Sequence, residues 1–484
     1  MTTQIRFLLG DKLMVLKDVD PSMTVLNFLR CVVGRPGSKE GCAEGDCGAC
    51  TVMLCELRGD DLQYRAVNSC ILFLPVLDGK QLVTVEDVKS ENGTLHPVQQ
   101  AMVDLHGSQC GFCTPGFVMS LYTAYQTERS LTRNQVDNVL AGNLCRCTGY
   151  SPIATAAMRM YEYKEPSVKR NNVLEQLQDI RRNEVLELNW ADRKYYAPAS
   201  LTEFATLYAQ YPNAHILAGG TDVGLWITKQ HRDLDTIIYT GGVQELLAID
   251  ETSDQLVIGS AVTFSDAHPP ISRLYPDFGE LIRRFGSVPI RNSATIGGNI
   301  ANASPIGDAI PPLMALGATL LLNRDGETRE VLLDDFFVGY HATILEPGEF
   351  IQSIVIPILH KHTLGVYKIS KRFDQDISAV CAAVSIDLEG DNVRDVKVCY
   401  GGMAEVPKHA TECEQALRGK RWTRETVDLA ARALQRDFAP ISDMRASSEY
   451  RMLVAKNLLV KFFIETSAPK TTTRILEYAA TFAG

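Results

Sequence analysis

The sequence predicts an α+β protein of several domains, and three observations lead to this fold class. The 484 residues correspond to about three domains at about 150 residues each. Hydrophobic residues make up 45% and charged residues 22% of the chain, which is enough apolar material for several packed cores. Ten of the 13 cysteines lie between Cys31 and Cys147, so the first third of the chain has a chemistry of its own.

Charge and hydropathy exclude two classes of partner. Lys and Arg total 48 against 58 for Asp and Glu, and no basic tract is present, so nucleic acid is not expected as a ligand. The N-terminus has no basic leader, and the longest apolar run, residues 310–322, contains two prolines and is too short to span a bilayer. We expect a soluble, cytoplasmic protein without membrane contact, in which thiols stay reduced and favour metal ligation over disulfides.

Residues 1–88 form the first predicted domain, a small sheet around one helix. Alternating apolar residues on both sides of Gly10 and Asp11 predict a β-hairpin. The segment SMTVLNFLR after Pro21 has apolar residues at helical spacing, and the later run TVMLCEL is typical of a strand.

Residues 89–163 form the second predicted domain, a bundle of four short helices. Pro97, Thr114-Pro115 and Ser151-Pro152 each mark a helix start, because proline is favoured in the first turn. Thr132 and Gln135 predict a capping box at the start of another helix.

The remaining chain is predicted as a linker, two larger domains and a tail. Residues 164–193 are highly charged with little apolar pattern, which indicates a linker. Residues 194–361 alternate strand and helix patterns around Gly-rich turns, and residues 362–465 begin with strands and end with helical sequence from Arg424 onward. Residues 466–484 are left as a C-terminal tail.

One set of four cysteines has the spacing of a metal centre. Cys42, Cys47 and Cys50 follow the pattern C-x4-C-x2-C, and Cys70 lies nineteen intervening residues later. This is the plant-ferredoxin spacing for a [2Fe-2S] cluster, in which four thiolates hold two irons. Glycines in the loop would let backbone N–H groups approach the sulfurs. A tetrahedral zinc site is the alternative, although zinc sites usually arrange four cysteines as two tight pairs.

A second set consists of two close pairs. Cys110 and Cys113 are spaced C-x2-C, and Cys145 and Cys147 are spaced C-x-C. Spacing alone fits zinc and iron–sulfur equally. Each pair lies where a predicted helix meets a loop, so two loops of one bundle can bring four thiolates to one site. The other five are expected to be small buried hydrophobic residues: Cys31, Cys55, Cys381, Cys399 and Cys413.

Two Gly-rich segments are candidates for phosphate binding. The turn at residues 217–222 follows an apolar strand and precedes a helical pattern, so its amides can hold a pyrophosphate. It does not match G-x-G-x-x-G, and an ordinary strand-to-helix turn has the same pattern. Residues 295–308 combine glycines with small hydrogen-bonding side chains, which suits a phosphate-bearing cofactor.

The sequences GCAEGDCGAC, QCGFCTPG and NLCRCTGY, in this order and spacing, closely resemble the iron–sulfur region of the molybdenum hydroxylases. The resemblance covers most of residues 1–465. It implies a β-grasp ferredoxin-like domain, a four-helix [2Fe-2S] bundle, a two-part α/β FAD-binding domain and a C-terminal α+β domain. It also implies two [2Fe-2S] clusters, FAD, and electrons delivered from a molybdopterin centre.

The resemblance also assigns roles to individual residues. Phe285 lies where the family places an aromatic ring beside the isoalloxazine; core packing is the alternative. The segment 371–377 resembles the polar segment that faces the flavin where NAD approaches, although a solvated loop has the same composition. Gln375 stands where relatives carry different charges, which leaves the choice between NAD and oxygen open. The implied cofactor-binding residues are Leu217, Ala218, Gly219, Gly220, Thr221, Asp222, Phe285, Thr295, Gly298, Asn299, Ser304, Asp308, Lys371, Asp376 and Ile377.

Single-chain members of the family continue into a much larger molybdopterin-binding region, whereas this sequence stops at Gly484. We therefore expect a separate large molybdopterin-binding subunit, a dimer of heterodimers, and no catalytic residue for purine hydroxylation on this chain. The implied role is electron transfer to FAD and then NAD during hypoxanthine and xanthine oxidation in purine catabolism. Alternatives are a family member that oxidises aldehydes or N-heterocycles, a free-standing NADH-dependent reductase, and, more remotely, a zinc-stabilised scaffold.

Overall fold

A computed structural model describes residues 2–90, 92–164, 173–469 and 471–474. The chain divides into two compact units. Unit 1 contains the residues up to Leu247 together with Thr263–Asp266 and Gly286–Thr295; unit 2 contains Ala248–Val262, Ala267–Phe285 and the residues from Ile296 onward. Residues 165–172 of the predicted linker and 475–484 of the predicted tail lie outside the described residues.

The N-terminal part of unit 1 is a five-stranded mixed sheet in the order β2-β1-β5-β3-β4. The predicted hairpin is confirmed: β1 and β2 pair antiparallel across a two-residue turn in which Gly10 has φ +57°, a value that favours glycine. The single α-helix here continues into a π-helical turn over Phe28–Val32. The elements are β1 Ile5–Leu9, β2 Lys12–Leu16, α1 Val25–Asn27, β3 Thr51–Arg58, β4 Asp61–Asn68 and β5 Gln81–Val83.

The four predicted short helices follow, and their predicted starts are confirmed. Pro97 is the first residue of α2, and Thr132 and Gln135 form the capping box of α4. Their apolar faces share one core with residues of β3 and β5. The helices are α2 Pro97–Asp104, α3 Thr114–Thr127, α4 Arg133–Leu140 and α5 Ser151–Arg159.

The range predicted as a linker contains regular structure. Helix α6 spans Val173–Ile180, and strand β6 spans Leu186–Trp190. The helix forms because Leu177 and Ile180 lie on one face and are buried against Leu8 and Cys55. The many charged residues of the range 164–193 obscured this apolar pattern in the sequence.

The last part of unit 1 is a four-stranded sheet in the order β6-β7-β9-β8. Strands β7, β9 and β8 run parallel, as expected for strands joined by helices. Strand β8 leads through a Gly-rich turn into α8, which places that turn at the carboxyl end of a parallel strand. The elements are β7 Arg193–Ala197, α7 Leu201–Gln210, β8 His215–Leu217, α8 Val223–Thr228 and β9 Thr236–Tyr239.

Unit 2 contains a five-stranded antiparallel sheet in the order β10-β11-β16-β12-β13, and a two-stranded ribbon of β14 and β15. In this stretch of the chain, α11 and the first turn of α9 belong to unit 1. The elements of residues 249–357 are β10 Ile249–Glu251, β11 Gln255–Gly259, α9 Phe264–Leu274, α10 Pro276–Arg284, α11 Val288–Arg291, α12 Ile296–Ala301, α13 Ile310–Leu316, β12 Thr319–Arg324, β13 Glu327–Leu332, β14 Phe337–Gly339, β15 Ala342–Thr343 and β16 Phe350–Pro357.

The C-terminal region of unit 2 is a four-stranded antiparallel sheet followed by helices. Its elements are β17 Thr363–Ile369, β18 Val380–Glu389, β19 Asn392–Gly401, β20 Lys408–His409, α14 Thr411–Leu417, α15 Arg424–Asp437 and α16 Ser448–Ser467. Helix α15 begins at Arg424, as predicted, although the shorter α14 precedes it. The multidomain α+β fold class is thus confirmed. Within the described ranges, every helix is too short or too polar to cross a membrane.

Candidate functional site

The first cysteine set converges in space. The Cys42 thiol lies close enough to the thiols of Cys47 and Cys70 to interact with both, and the Cys50 thiol interacts with that of Cys70. These contacts lower the pKa of Cys42 and raise the pKa values of Cys47 and Cys70, because the neighbouring S–H groups stabilise a Cys42 thiolate. Cys50 and Cys70 are buried, whereas Cys42 and Cys47 are half-buried. The four sulfurs therefore lie together at a mostly enclosed position.

The loop around this set fits a thiolate-held cluster. The amides of Glu44 and Cys47 donate to the Cys42 sulfur, each at 3.4 Å. A Cβ atom at Gly41 would lie 2.9 Å from the Cys47 sulfur, so a larger residue would obstruct the sulfurs. Amide donors of this kind stabilise thiolates and tune the potential of a bound cluster.

The second cysteine set also converges, but near the surface. The Cys110 and Cys147 thiols contact each other, and so do those of Cys113 and Cys145. Cys110 and Cys147 are exposed, and the other two are half-buried. Burial, with a hydrogen bond to Cys145, raises the pKa of Cys113 to about 12. As predicted, two interhelical loops of one bundle supply the four thiols.

Thr148 supports this second set from within its own loop. Its hydroxyl donates to the Cys145 sulfur at 3.1 Å, and its amide donates at 3.5 Å. These two bonds lower the pKa of the Cys145 thiol against the opposing effect of burial. Thr148 lies within the quoted NLCRCTGY motif, yet sequence reasoning gave it no role.

In the part of the chain that the structure describes, no group of three or more histidine, cysteine or acidic side chains has the geometry of a metal-ion site. The assignment of the eight cysteines as ligands therefore stays a prediction. Of the five remaining cysteines, Cys55, Cys381, Cys399 and Cys413 are buried, as predicted. The same prediction is wrong for Cys31, which is exposed because it lies on the solvent side of the π-helical turn.

The turn at residues 217–222 joins β8 to α8 in unit 1. Leu217 is buried, Asp222 is exposed, and Ala218, Gly219, Gly220 and Thr221 lie between these extremes. A Cβ atom at Gly219 would lie 1.8 Å from the Ser293 carbonyl oxygen, so only glycine fits there. Gly220 has φ +71°, a second reason for glycine in this turn.

Helix α8 packs against the loops of the first cysteine set. A Cβ atom at Gly224 would lie 2.7 Å from the carbonyl oxygen of Ile71, the residue after Cys70. The Thr228 hydroxyl donates to the Ala43 carbonyl at 2.7 Å, and Ala43 follows Cys42. The Gly-rich turn and the first cysteine set are therefore neighbours within unit 1.

Unit 2 contains a buried polar cluster around Asp308. The Lys368 ammonium donates to Oδ2 of Asp308 at 2.6 Å and to the Ser378 hydroxyl at 2.7 Å. Among the described residues, Oδ1 of Asp308 and Oδ1 of Asn299 are buried without a hydrogen-bond partner. Such acceptors fit a ligand that offers N–H or O–H donors, as a flavin does. Sequence reasoning missed Lys368, although a lysine in the apolar strand GVYKI is a detectable signal.

The other predicted flavin residues have varied surroundings. Thr295, in unit 1, is buried and forms an isolated bridge with Thr263. In unit 2, Phe285 is half-buried at the end of α10, and Gly298 is exposed on α12. The Ser304 hydroxyl accepts a hydrogen bond from the Ile306 amide at 3.4 Å.

The segment 371–377 is a surface loop held by its own neighbours. The Lys371 ammonium donates to the Met444 carbonyl at 2.7 Å. The Asp376 carboxylate accepts from the amides of Arg372 and Ile377 at 2.9 and 3.1 Å. Ile377 is 49% exposed, so it is the one of these predicted residues with a free apolar surface.

Arg284 fixes the tip of this loop, and sequence reasoning did not single it out. Its guanidinium lies 4.0 Å from the centre of the Phe373 ring and donates to the Phe373 carbonyl at 2.6 Å. The amide of Gln375, which has φ +56°, donates to the Arg284 carbonyl at 3.2 Å. The pairing joins positions far apart in sequence, and no local pattern predicts it.

Comparison with known families matches three parts of the chain. Residues 84–158 match a [2Fe-2S] binding domain, residues 188–359 match the FAD binding domain in molybdopterin dehydrogenase, and residues 365–466 match the C-terminal domain of the CO dehydrogenase flavoprotein. The chain therefore contains [2Fe-2S]-binding and FAD-binding domains.

Curated relatives extend the similarity over nearly all of the sequence. The chain is 30% identical over 94% of its length to a xanthine dehydrogenase of Oryza sativa subsp. japonica, and 31% identical over 90% to one of Emericella nidulans. It spans 39% and 36% of the length of these two relatives.

Solved structures with the same fold cover a smaller part. Carbon monoxide dehydrogenase from Hydrogenophaga pseudoflava aligns over 55% of this chain and 94% of its own, with 27% identity and a TM-score of 0.53. Quinoline 2-oxidoreductase from Pseudomonas putida 86 aligns over 56% and 95%, with 26% identity and a TM-score of 0.52.

Fold and domains together define an iron–sulfur flavoprotein of the oxidoreductase class. The order of the domains and the similarity to xanthine dehydrogenases identify the family more closely. The chain belongs to the molybdenum hydroxylase family, of which it carries the iron–sulfur and FAD regions.

Proposed function

We propose that this chain is the electron-transfer part of a xanthine dehydrogenase whose molybdopterin centre lies on a partner chain. The observation that carries the proposal is the degree of identity along nearly the whole chain. Two xanthine dehydrogenases are 30% and 31% identical over 94% and 90% of it, whereas an aldehyde oxidase of Rattus norvegicus is 26% identical over 96%. The chain is thus more similar to these xanthine dehydrogenases than to that aldehyde oxidase.

The proposed order of electron flow runs from the second cysteine set to the first, and then to FAD. When bound, the clusters would carry single electrons, and FAD would collect two of them for transfer to NAD as hydride. The proposed ligands of the outer cluster are Cys110, Cys113, Cys145 and Cys147, and those of the inner cluster are Cys42, Cys47, Cys50 and Cys70.

Three features of unit 1 support this order. The exposed Cys110 and Cys147 lie on a surface that a partner chain can reach. Near them in sequence, Phe112, Leu144 and Tyr150 are 48%, 42% and 39% exposed, and such apolar side chains favour a protein interface. The first set, in contrast, contacts the helix that follows the proposed pyrophosphate-binding turn.

In unit 1, the turn 217–222 is proposed to contribute to flavin binding. Its backbone amides suit a pyrophosphate, because the turn lies between the carboxyl end of β8 and the start of α8. In unit 2, the free oxygens of Asp308 and Asn299 offer acceptors, and Lys368 keeps the Asp308 carboxylate in place. Phe285 is proposed to lie beside the ring, and Ile377 to limit the approach of NAD.

The proposal is tested with the isolated chain and with the chain bound to its partner. We expect the isolated chain to oxidise NADH with an artificial acceptor and to show no activity towards xanthine. Co-purification of a molybdopterin-containing chain should restore xanthine-dependent NAD reduction. Ile377→Trp should slow NADH oxidation by about tenfold with normal FAD content, because hydride transfer requires contact between the two rings. Xanthine turnover by the isolated chain, with no partner detectable, would overturn the division of labour.

A further inference from the structure

The loops that carry the two cysteine sets are joined directly. The amide of Leu144 donates to the Cys47 carbonyl at 3.0 Å. Leu144 precedes Cys145, so one hydrogen bond connects the backbone at a residue of the first set with the backbone beside a residue of the second. Both loops lie within unit 1.

The side chain of Asn143 completes this junction. It is 2% exposed, and its Nδ2 donates to the Gly48 carbonyl at 3.1 Å. Its Oδ1 accepts from the Ser120 hydroxyl at 2.6 Å. Asn143 thus binds the loop of the first set and helix α3, whose N-cap is Cys113, while its own loop continues to Cys145.

The backbone segments at this junction are closely packed. A Cβ atom at Gly48 would lie 2.1 Å from the Gly142 carbonyl oxygen, and one at Gly116 would lie 2.1 Å from the Gly48 carbonyl oxygen. Gly48 also has φ +69°, which favours glycine. Three chain segments therefore meet backbone to backbone, so a shift of one must move the others.

We propose that Asn143 is a positioning residue that fixes the two cysteine sites relative to each other and makes their properties interdependent. Each bond of Asn143 is made to a segment that carries a predicted ligand, yet Asn143 contacts no sulfur in the described hydrogen bonds. Its removal would leave the buried Gly48 carbonyl without this donor and the Ser120 hydroxyl without its acceptor. The inference rests on the proposed cluster sites.

Unit 1 offers a matched control in Asn292. Its Nδ2 donates to the Ala66 carbonyl at 2.9 Å, and its Oδ1 accepts from the Ser265 hydroxyl at 2.6 Å. Both asparagines donate to a backbone carbonyl and accept from a serine hydroxyl, although Nδ2 of Asn143 also donates to the Thr51 hydroxyl at 3.4 Å. Asn292 joins β4 to α9 and makes none of its side-chain hydrogen bonds to the cysteine loops. Asn292→Ala removes comparable bonds without loosening the junction.

The experiment is electron paramagnetic resonance of the reduced, full-length protein as Asn143→Ala, Ser120→Ala and Asn292→Ala. We expect Asn143→Ala to shift both [2Fe-2S] signals and to weaken the magnetic splitting between them. Ser120→Ala should change the same two signals less, because it leaves the bond from Asn143 to the Gly48 carbonyl in place. Asn292→Ala should leave both signals as in the unaltered protein.

A change confined to one signal, or equal changes in Asn143→Ala and Asn292→Ala, would overturn the proposal. If Asn143→Ala fails to bind iron, Ser120→Ala decides, since its expected effect has the same pattern at smaller size. An unaltered protein with no iron would contradict the proposed function, whereas normal iron with unaffected variants would contradict only the role of Asn143.

Discussion

The two cysteine sites use the same residue type in surroundings that differ in solvent access. In the first, Cys50 and Cys70 are buried and none of the four cysteines is exposed; in the second, Cys110 and Cys147 are exposed and none is buried. The first is enclosed by a β-sheet and α8, whereas the second lies in surface loops between short helices. This difference in burial supports the proposed order, in which the second site exchanges electrons with a partner and the first site passes them on within the chain.

The largest expected effect separates the two sites by direction of electron flow. Cys147→Ser should remove one paramagnetic signal and reduce xanthine-driven flavin reduction in the partner-bound protein by more than about 100-fold, because one ligand of the outer cluster is lost. NADH-driven flavin reduction should stay within about twofold. Stopped-flow absorbance of the flavin measures both half-reactions.

Cys47→Ser is the matched variant at the inner site. It should also block xanthine-driven flavin reduction, but with loss of the other paramagnetic signal. If Cys147→Ser abolished NADH-driven flavin reduction in folded protein, the assignment of the second site to the partner side would be wrong.

The second effect concerns access of solutes to the two sites. An iron chelator added to reduced protein should release two irons from the second site about tenfold faster than two from the first, since two of its cysteines are exposed. The two paramagnetic signals should decay with the same two rates. Equal rates at both sites would show that their difference in burial has no chemical consequence.

The third effect concerns how each site is anchored. Strand β3, which follows the first cysteine loop, carries Glu56, with Lys80 at 3.2 Å and Arg65 at 3.4 Å. Burial alone would raise the pKa of Glu56, but these cations and Arg58 lower it from 4.5 to about 2. The difference between these two pKa values corresponds to about 3 kcal/mol of stability, which is present above about pH 4.5 and is lost as the pH falls to about 2.

Glu56→Gln should therefore lower the free energy of unfolding by about 3 kcal/mol at pH 7, and the difference should vanish near pH 2. Asp137→Asn is the control beside the second site, because its ion pair with Arg133 on α4 is more than half exposed. That change should cost less than about 0.5 kcal/mol. Chemical denaturation across this pH range checks both, and a pH-independent cost at Glu56 would refute the ionic explanation.

Local signals predicted the parts of the fold that depend on neighbours in sequence. The turn at Gly10, the capping box of Thr132 and the helix starting at Pro97 each follow from residues within a few positions. The first cysteine set was predicted from its spacing and the second from the position of its two pairs where helices meet loops, and the structure brings each set together. Few backbone conformations are open to such short segments, so their local sequence was enough to predict the turn and the helix starts.

Contacts between distant positions could not be predicted from local patterns. Lys368 and Asp308 are 60 positions apart and meet only because strand β17 and the segment before α13 are brought together by the fold. Helix α6 was missed because its stability comes from burial of Leu177 against a distant sheet. The exposure of Cys31 likewise depends on which face of its turn is covered.

The most direct test of the account is a reductive titration of the purified protein, followed by paramagnetic resonance and combined with metal and flavin analysis. We expect about four irons and one FAD per chain, with two [2Fe-2S] signals that appear at different potentials. Stoichiometric zinc without iron, or a single iron–sulfur signal in fully loaded protein, would contradict the account.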